Sequence, residues 1–289
     1  MEQRTDYREK ALRAIGTLPP FSPVLNKLLA SLAQDKVSFS AVGELIEKDT
    51  VMAGGVLHLV NSALYGRRGT INSVRHAVAL LGINKLRNAV LGMSITRLWS
   101  EVKTPQGWSM ARFNGHSAAT AVLADLLAQH LEADYPEGAF IAGLLHDVGR
   151  LLIALGLREE HGAILRLYER SGRSLVECER EVIGVTHPEL SAAAIAHWNL
   201  PLPIQLAAEH HHRPAADPTP VAPGAWALSS IVHVANQHVN SAGISVFRDL
   251  NPADQPPPDP LEALGLGDGL PALLEQFQSE YEAMAGFFR

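Results

Sequence analysis

Residues 139–157, AFIAGLLHDVGRLLIALGL, decide how this chain is read, because formal charge enters that apolar run only at Asp147 and Arg150. An isolated carboxylate in such surroundings costs roughly several kcal/mol, or takes up a proton. His146 beside it also needs a hydrogen-bond partner. The run is nearly long enough to cross a bilayer. A crossing would put Asp147 and Arg150 near mid-bilayer at about a few kcal/mol each, and no flanking basic cluster accompanies it. The stretch therefore predicts a core helix over 136–155 whose polar pair is met by side chains from elsewhere, and no membrane partner.

Composition narrows the alternatives. A chain of 289 residues, 47% hydrophobic and 19% charged, has an ample core for one large domain or two ordinary ones. A formal net charge of −6 opposes general polyanion binding, so no nucleic acid partner is expected. A single cysteine, Cys178, excludes an intrachain disulfide and suits a reducing compartment. The opening MEQRTDYREK is charged where a signal peptide needs an apolar core. These features predict a cytoplasmic protein.

Outward from the central run, helical periodicity recurs and no extended alternating pattern appears. LPPFSPVLNKLLASLAQ, AVGELIEKD (with Ser40 as a candidate cap), VMAGGVLHLVNSALYG, SVRHAVALLG and NKLRNAVLGMSITRLW read as short helices. The connection EVKTPQGWSM marks a change, because His58 and His76 precede it and the other eleven histidines follow. An all-α protein is expected, with an N-terminal helical subdomain over 1–106 and a second helical domain over 107–289. In the second part a long helix covers about 108–131, and two amphipathic helices follow the central run up to Ile183. THPE has the form of a capping box, with Thr186 as cap and Glu189 three residues on, which puts His187 in a first helical turn. PLPIQLAAEHHH must stop by Pro214, which leaves His211 and His212 at a helix end. DPTPVAPG and NPADQPPPDP read as loops, and a last helix lies near 270–286.

His116, with Leu123 and Leu127 at i+7 and i+11, points along a buried stripe. One histidine on an apolar face is most often a hydrogen-bonded core residue. Several on different helices, together with Asp147, form the nitrogen and oxygen set that divalent transition metals favour. A cation would also offset the charge on Asp147.

The order His116, then His146-Asp147, then His187 and His211-His212, resembles the HD superfamily of metal-dependent phosphohydrolases. LPPFSPVLNKLLASL, LIEKDTVMAGGVLHLVNSALYG, LLGINKLRNAVL and AFIAGLLHDVGRLLIA are similar to segments of its HDOD branch, the HD-related output domain of bacterial signalling, over roughly residues 15–240. The resemblance implies an N-terminal helical bundle packed on an HD-like helical domain. It assigns a first metal position to His116, His146 and Asp147, with Asp147 bridging to a second position at His187, His211 and His212. Iron, manganese or zinc would fit. Two departures stand out: Asn236 occupies the place of the closing aspartate, and Arg150 replaces the lysine of the related HDxGK pattern. A neutral oxygen is a weaker ligand, and a guanidinium cannot reproduce a compact ammonium. The second position is therefore the better supported.

The resemblance implies a non-catalytic signalling module that acts through a protein partner and retains a degenerate metal site. The alternatives are a metal-dependent phosphohydrolase in which Arg150 steadies developing charge, and a nucleotide sensor that does not hydrolyse its ligand. Arg67, Arg68, Lys85 and Arg87 form a candidate basic patch, although in an acidic protein they read as a solvated helix face. His130, His161, His197, His233 and His238 read as surface or core residues, His210 as part of the HHH run, and Asn61 and Ser62 as turn formers. Cys178 lacks the setting of a reactive thiol.

Overall fold

The computed structural model describes residues 2–30, 32, 43–44, 46–61, 71–247, 260–261 and 264–285. The candidate cap Ser40, Ser62, the pair Arg67 and Arg68, and most of the loop NPADQPPPDP lie outside them. The protein is all-α, and the pairing of Ala133 with Trp226 is an isolated bridge.

The first half comprises α1 (Glu2–Arg13), α2 (Pro23–Ala30), α3 (Thr50–Val60), α4 (Val74–Leu81) and α5 (Ile83–Ser100). Their starts follow from side-chain capping of orphan amides. Asp49 accepts from the amides of Val51 and Met52 at 3.0 Å each, and Ser73 accepts from that of His76 at 3.2 Å. Asn61 closes the turn after α3: its Nδ2 donates to the carbonyls of Leu57 and Ile71, and its Oδ1 accepts from the amide of Ile71.

The second half continues with α6 (Met110–His130), α7 (Ala139–Leu145), α8 (Val148–Gly156), α9 (Arg158–Ser171) and α10 (Leu175–Val182). It closes with α11 (His187–His197), α12 (Leu202–His210), α13 (Leu228–Ser241) and α14 (Leu270–Ala285). Helix α6 is buried along most of its length and packs on α5, α7, α13 and α14. One apolar core runs from Leu25 and Leu28 through Trp99 and Phe113 to Phe277 and Met284, joining the first half of the chain to the second. Trp108 and Phe113, with ring centroids 5.5 Å apart, anchor the connection between the halves. Helix α1 packs on α8 and α11 of the second half.

The expected single helix over 136–155 is broken. After the 3-10 turn Pro136–Gly138, α7 ends at Leu145 and α8 begins at Val148, with His146 and Asp147 in the turn between them. Tertiary packing imposes the break. Helix α7 crosses α6 so closely that a Cβ on Gly143 would lie 2.7 Å from Ala121 Cα. Helix α8 crosses α11 so closely that a Cβ on Gly149 would clash with the carbonyl oxygen of His187. Pro136–Gly156 is the stretch among the described residues apolar and long enough to cross a membrane, and 89% of its most apolar window is buried in the core.

The predicted solvated face at Lys85 and Arg87 is also corrected. Arg87 is buried, and Lys85 forms an ion pair with Glu280 of α14. Long-range partners on α6 and α14, which local charge counting cannot see, draw both side chains inward.

Candidate metal centre

Asp147 is wholly buried, and its two oxygens face different sets of side chains. Oδ2 is 3.5 Å from His116 Nε2, 3.4 Å from His146 Nε2 and 3.1 Å from Arg150 Nε. Oδ1 is 3.2 Å from His187 Nε2 and 3.6 Å from His211 Nε2. Helix α6 supplies His116, and the α7–α8 turn supplies His146 and Asp147. The first turn of α11 supplies His187, and the C-terminus of α12 supplies His211 and His212. The six residues form two groups sharing Asp147: His116, His146 and Asp147, and Asp147, His187, His211 and His212.

The histidine tautomers follow from their outer partners. Nδ1 of His116 donates to the carbonyl of Ile244 at 2.8 Å, that of His146 to Gly143 at 2.7 Å, and that of His211 to Ala208 at 2.7 Å. Nδ1 of His187 donates to the carboxylate of Glu179 at 2.8–2.9 Å. A neutral imidazole protonated at Nδ1 carries only a lone pair at Nε2. All four therefore present acceptors toward a carboxylate that is itself an acceptor. His116 Nε2 and His146 Nε2 stand 3.3 Å apart, lone pair toward lone pair unless a proton or cation lies between them. Both Asp147 oxygens and His211 Nε2 are buried without a properly directed hydrogen bond among the described residues. Arg150 Nε is within ion-pair distance of Oδ2, but its N–H is not aimed for a hydrogen bond.

A cation placed among these acceptors would satisfy them together. Metal bonds of about 2.0–2.1 Å at a tetrahedral angle set neighbouring donor atoms about 3.3–3.4 Å apart. The edges of the first group are 3.3, 3.4 and 3.5 Å. In the second group, His187 Nε2 lies 3.0 Å from His212 Nε2 and 3.2 Å from Asp147 Oδ1. The residues present thus fit a divalent transition metal.

The electrostatics agree. Burial pushes the imidazoles of His116 and His212 down, and that of His211 down to about 3, so these groups are neutral and able to ligate. Burial also presses on His187, but the Glu179 carboxylate outweighs it and raises the group above its ordinary value. For Asp147 burial works upward, yet Arg150 and then His146 hold the carboxyl well below its usual range.

Glu179 is a site residue that sequence reading passed over. It is buried on α10, accepts from the His187 amide at 2.8 Å and orients the ring from Nδ1. This is the carboxylate–histidine relay that stiffens metal ligands. Its sequence signal was faint: Glu179 shares the buried face of α10 with Leu175 and Cys178. Ser191 is another, its hydroxyl accepting from the Gly149 amide at 2.8 Å and fixing α8 on α11. The capping box holds, with the Glu189 carboxylate accepting from the Thr186 amide and hydroxyl at 2.7 and 3.0 Å.

Asn236 is buried on α13, where its Oδ1 accepts from Asn240 Nδ2 at 2.8 Å, so one lone pair of its single oxygen is already engaged. His233 Nδ1 donates to the carbonyl of His211 and steadies the end of α12. His161 packs against Trp108 in the core, and burial raises the Cys178 thiol.

The sequence profile of the HDOD domain matches residues 18–214. The solved structure of an HDOD domain protein with unknown function from Geobacter sulfurreducens is 24% identical, with a TM-score of 0.73 over 98% of this chain and 94% of that one. A chain from Shewanella amazonensis SB2B, provisionally named a phosphohydrolase, is 23% identical, with a TM-score of 0.70 over 97% of this chain and 98% of its own. A chain from Marinobacter aquaeolei VT8, provisionally named a signal transduction protein, is 20% identical, with a TM-score of 0.70 over 99% and 66%. At these identities the likeness establishes the fold. An uncharacterized protein of Treponema pallidum (strain Nichols) is 26% identical over 215 residues, 73% of this chain. The chain spans 40% of that relative's length.

Proposed function

Because this chain belongs to the HDOD family, we propose that it is a cytoplasmic bacterial signalling module that works through a protein partner, its HD-like core holding a divalent metal ion without turning over a substrate. In this reading 1–106 and 107–289 are its two helical units, and neither nucleic acid nor membrane is a partner. The observation that carries it is the four-donor set in a buried centre: His146, Asp147, His187 and His211 are 0% exposed and His116 is 1% exposed, with His212 half-buried at the edge. Structural metal sites are filled by four protein ligands, the number that Asp147, His187, His211 and His212 supply, whereas catalytic ones keep a coordination position open to substrate. His187, His211, His212 and Asp147 would hold the ion, with iron, manganese and zinc as candidates. Engagement of the Asn236 oxygen by Asn240 and the seat of Arg150 on Asp147 both favour retention over turnover.

A metal-dependent phosphohydrolase is the second reading, favoured by the bridging position of Asp147 between two donor groups. Ions held there would polarise a phosphoryl oxygen and acidify water. Arg150 would steady charge developing on the phosphate. One set of measurements separates the two readings. Purified protein is expected to contain iron, manganese or zinc and to hydrolyse neither cyclic dinucleotides nor simple phosphate esters. Chelation should lower its Tm by about 5–10 °C, which corresponds to losing about 2.7 kcal/mol of ligand stabilisation at a hundredfold excess over Kd. Protein isolated metal-free, with no thermal shift on adding any of the three ions, would sink the metal reading. Robust turnover that vanishes in Asp147→Ala would establish the hydrolase instead.

A further inference from the structure

The two oxygens of Asp147 differ in one respect that the ligand count hides. Oδ2 already has a permanent cation, since Arg150 Nε is its nearest polar neighbour at 3.1 Å. Among the described residues, the ion-pair partners of Oδ1 are imidazoles, those of His187 and His211. Arg150 sits three residues after Asp147, where the first turn of α8 presents it back toward the carboxylate, and its side chain is 11% exposed. The Phe247 ring lies 5.9 Å from the guanidinium carbon and backs it from the other side, with Trp108 packed edge-on against Phe247. Phe247 thus supplies a cation–π contact that helps keep the charge in place.

We infer that Arg150 is a built-in competitor for the first half of the centre: its guanidinium and a divalent ion contend for Asp147 Oδ2, so the chain retains one tightly held ion, in the His187, His211 and His212 half. The inference rests on the metal reading proposed above. A second ion, placed among His116, His146 and Oδ2, would share one buried oxygen with a guanidinium, and like charges in a dry site repel strongly. An ion on Oδ1 feels the same guanidinium, whose charge also reaches His187 and His212, but from further off and without sharing its ligand oxygen with it. Arg150 is therefore the residue that sets how many ions the centre keeps, and withdrawal of its side chain toward solvent would open the first half. Asn236 reinforces the bias, because a neutral oxygen already bonded to Asn240 offers little to offset the guanidinium.

Zinc binding by equilibrium dialysis, read as ions per chain and as the Kd of each, tests the inference on the full-length protein. Wild type is expected to hold one tight ion. Arg150→Met, which keeps the bulk and removes the charge, should hold two, with the second bound about ten- to a hundredfold more tightly than in wild type. Arg150→Lys, which keeps the charge, should stay at one. Adding His116→Ala to Arg150→Met should return the count to one and so locate the gain in the first half. Circular dichroism of each variant confirms that the counts come from folded protein. Two equally tight ions in wild type, or one ion in both wild type and Arg150→Met, would overturn the competition while leaving the metal reading intact. No ion in any variant would overturn the metal reading itself.

Discussion

Two aspartates, one half-buried on α6 and one wholly buried in the turn between α7 and α8, meet opposite fates. Asp125 on α6 accepts from Asn88 Nδ2 and Gln129 Nε2, each at 2.9 Å, beside the Lys85–Glu280 ion pair and Arg87. Burial, with the Glu280 charge adding to it, pushes its carboxyl up to about 6. Asp147 is more deeply buried, yet its carboxyl is held well below the usual range and neither oxygen has a properly directed hydrogen bond among the described residues. Asp125 is satisfied by amides that can serve no ion, whereas Asp147 is ringed by nitrogens whose protons point away from it. Burial of an acid does not mark a functional site. A buried acid left unsatisfied by its own protein does.

The sharpest way to break this comparison is Asp147→Ala. Removing the carboxylate leaves Arg150 nearly buried without its partner, a change that typically costs about 3–5 kcal/mol. The same change removes the bridging ligand, so metal content should fall to background. Urea unfolding followed by circular dichroism, together with elemental analysis, measures both effects. A loss of less than about 1 kcal/mol with metal retained would mean that Asp147 is no more than another core polar group, like Asp125.

Much of this contrast was legible in the sequence, for local reasons. An isolated charge in an apolar run needs no structure to declare itself, and it led to His146 and Asp147. The capping box at Thr186 placed His187 in a first turn, and Pro214 placed His211 and His212 at a helix end. The break between α7 and α8 was not legible, because apolar periodicity continues on both sides and only the crossings at Gly143 and Gly149 force it. Arg87 departs from its solvated reading for a related reason: its environment is set by Asp125 of α6, Tyr135 and Glu137, all far along the chain. Glu179 was hidden among the charged residues around it, and its partner His187 lies beyond the end of its own helix.

Glu179 sharpens the comparison at intermediate size. Glu179→Gln keeps an oxygen near His187 but removes the charge that orients and polarises the ring. Outer partners of ligating histidines are typically worth ten- to a hundredfold in metal affinity. Competition with a chromophoric chelator should show a weakening of that order, with the fold unchanged by circular dichroism. Unchanged affinity would reduce Glu179 to a packing role, its hydrogen bond to the His187 amide serving only to start α11.

The smallest expected effect concerns Asp125, and its sign is the informative part. Its folded carboxyl is pushed up to about 6, above the ordinary 3.8. Between those values the folded state holds a proton that the unfolded state has released. Stability from this group is therefore complete below about pH 4 and is lost as pH rises through about 6. Asp125→Asn removes the titration. It also keeps most of the hydrogen bonding, because Asn88 Oδ1 is buried without a partner and a flip of that amide would let it accept from the new side chain. The variant should lie within about 1 kcal/mol of wild type at pH 5. At pH 8, where wild type carries the cost of a buried charge, it should be equal or more stable. Urea midpoints for the two proteins at both pH values test this, with metal content as the control, which should not move. A variant less stable at pH 8 than at pH 5, relative to wild type, would mean that the ionised carboxylate is the favoured partner of Lys85 and Arg87. Asp125 would then be, like Asp147, a charge that its surroundings require.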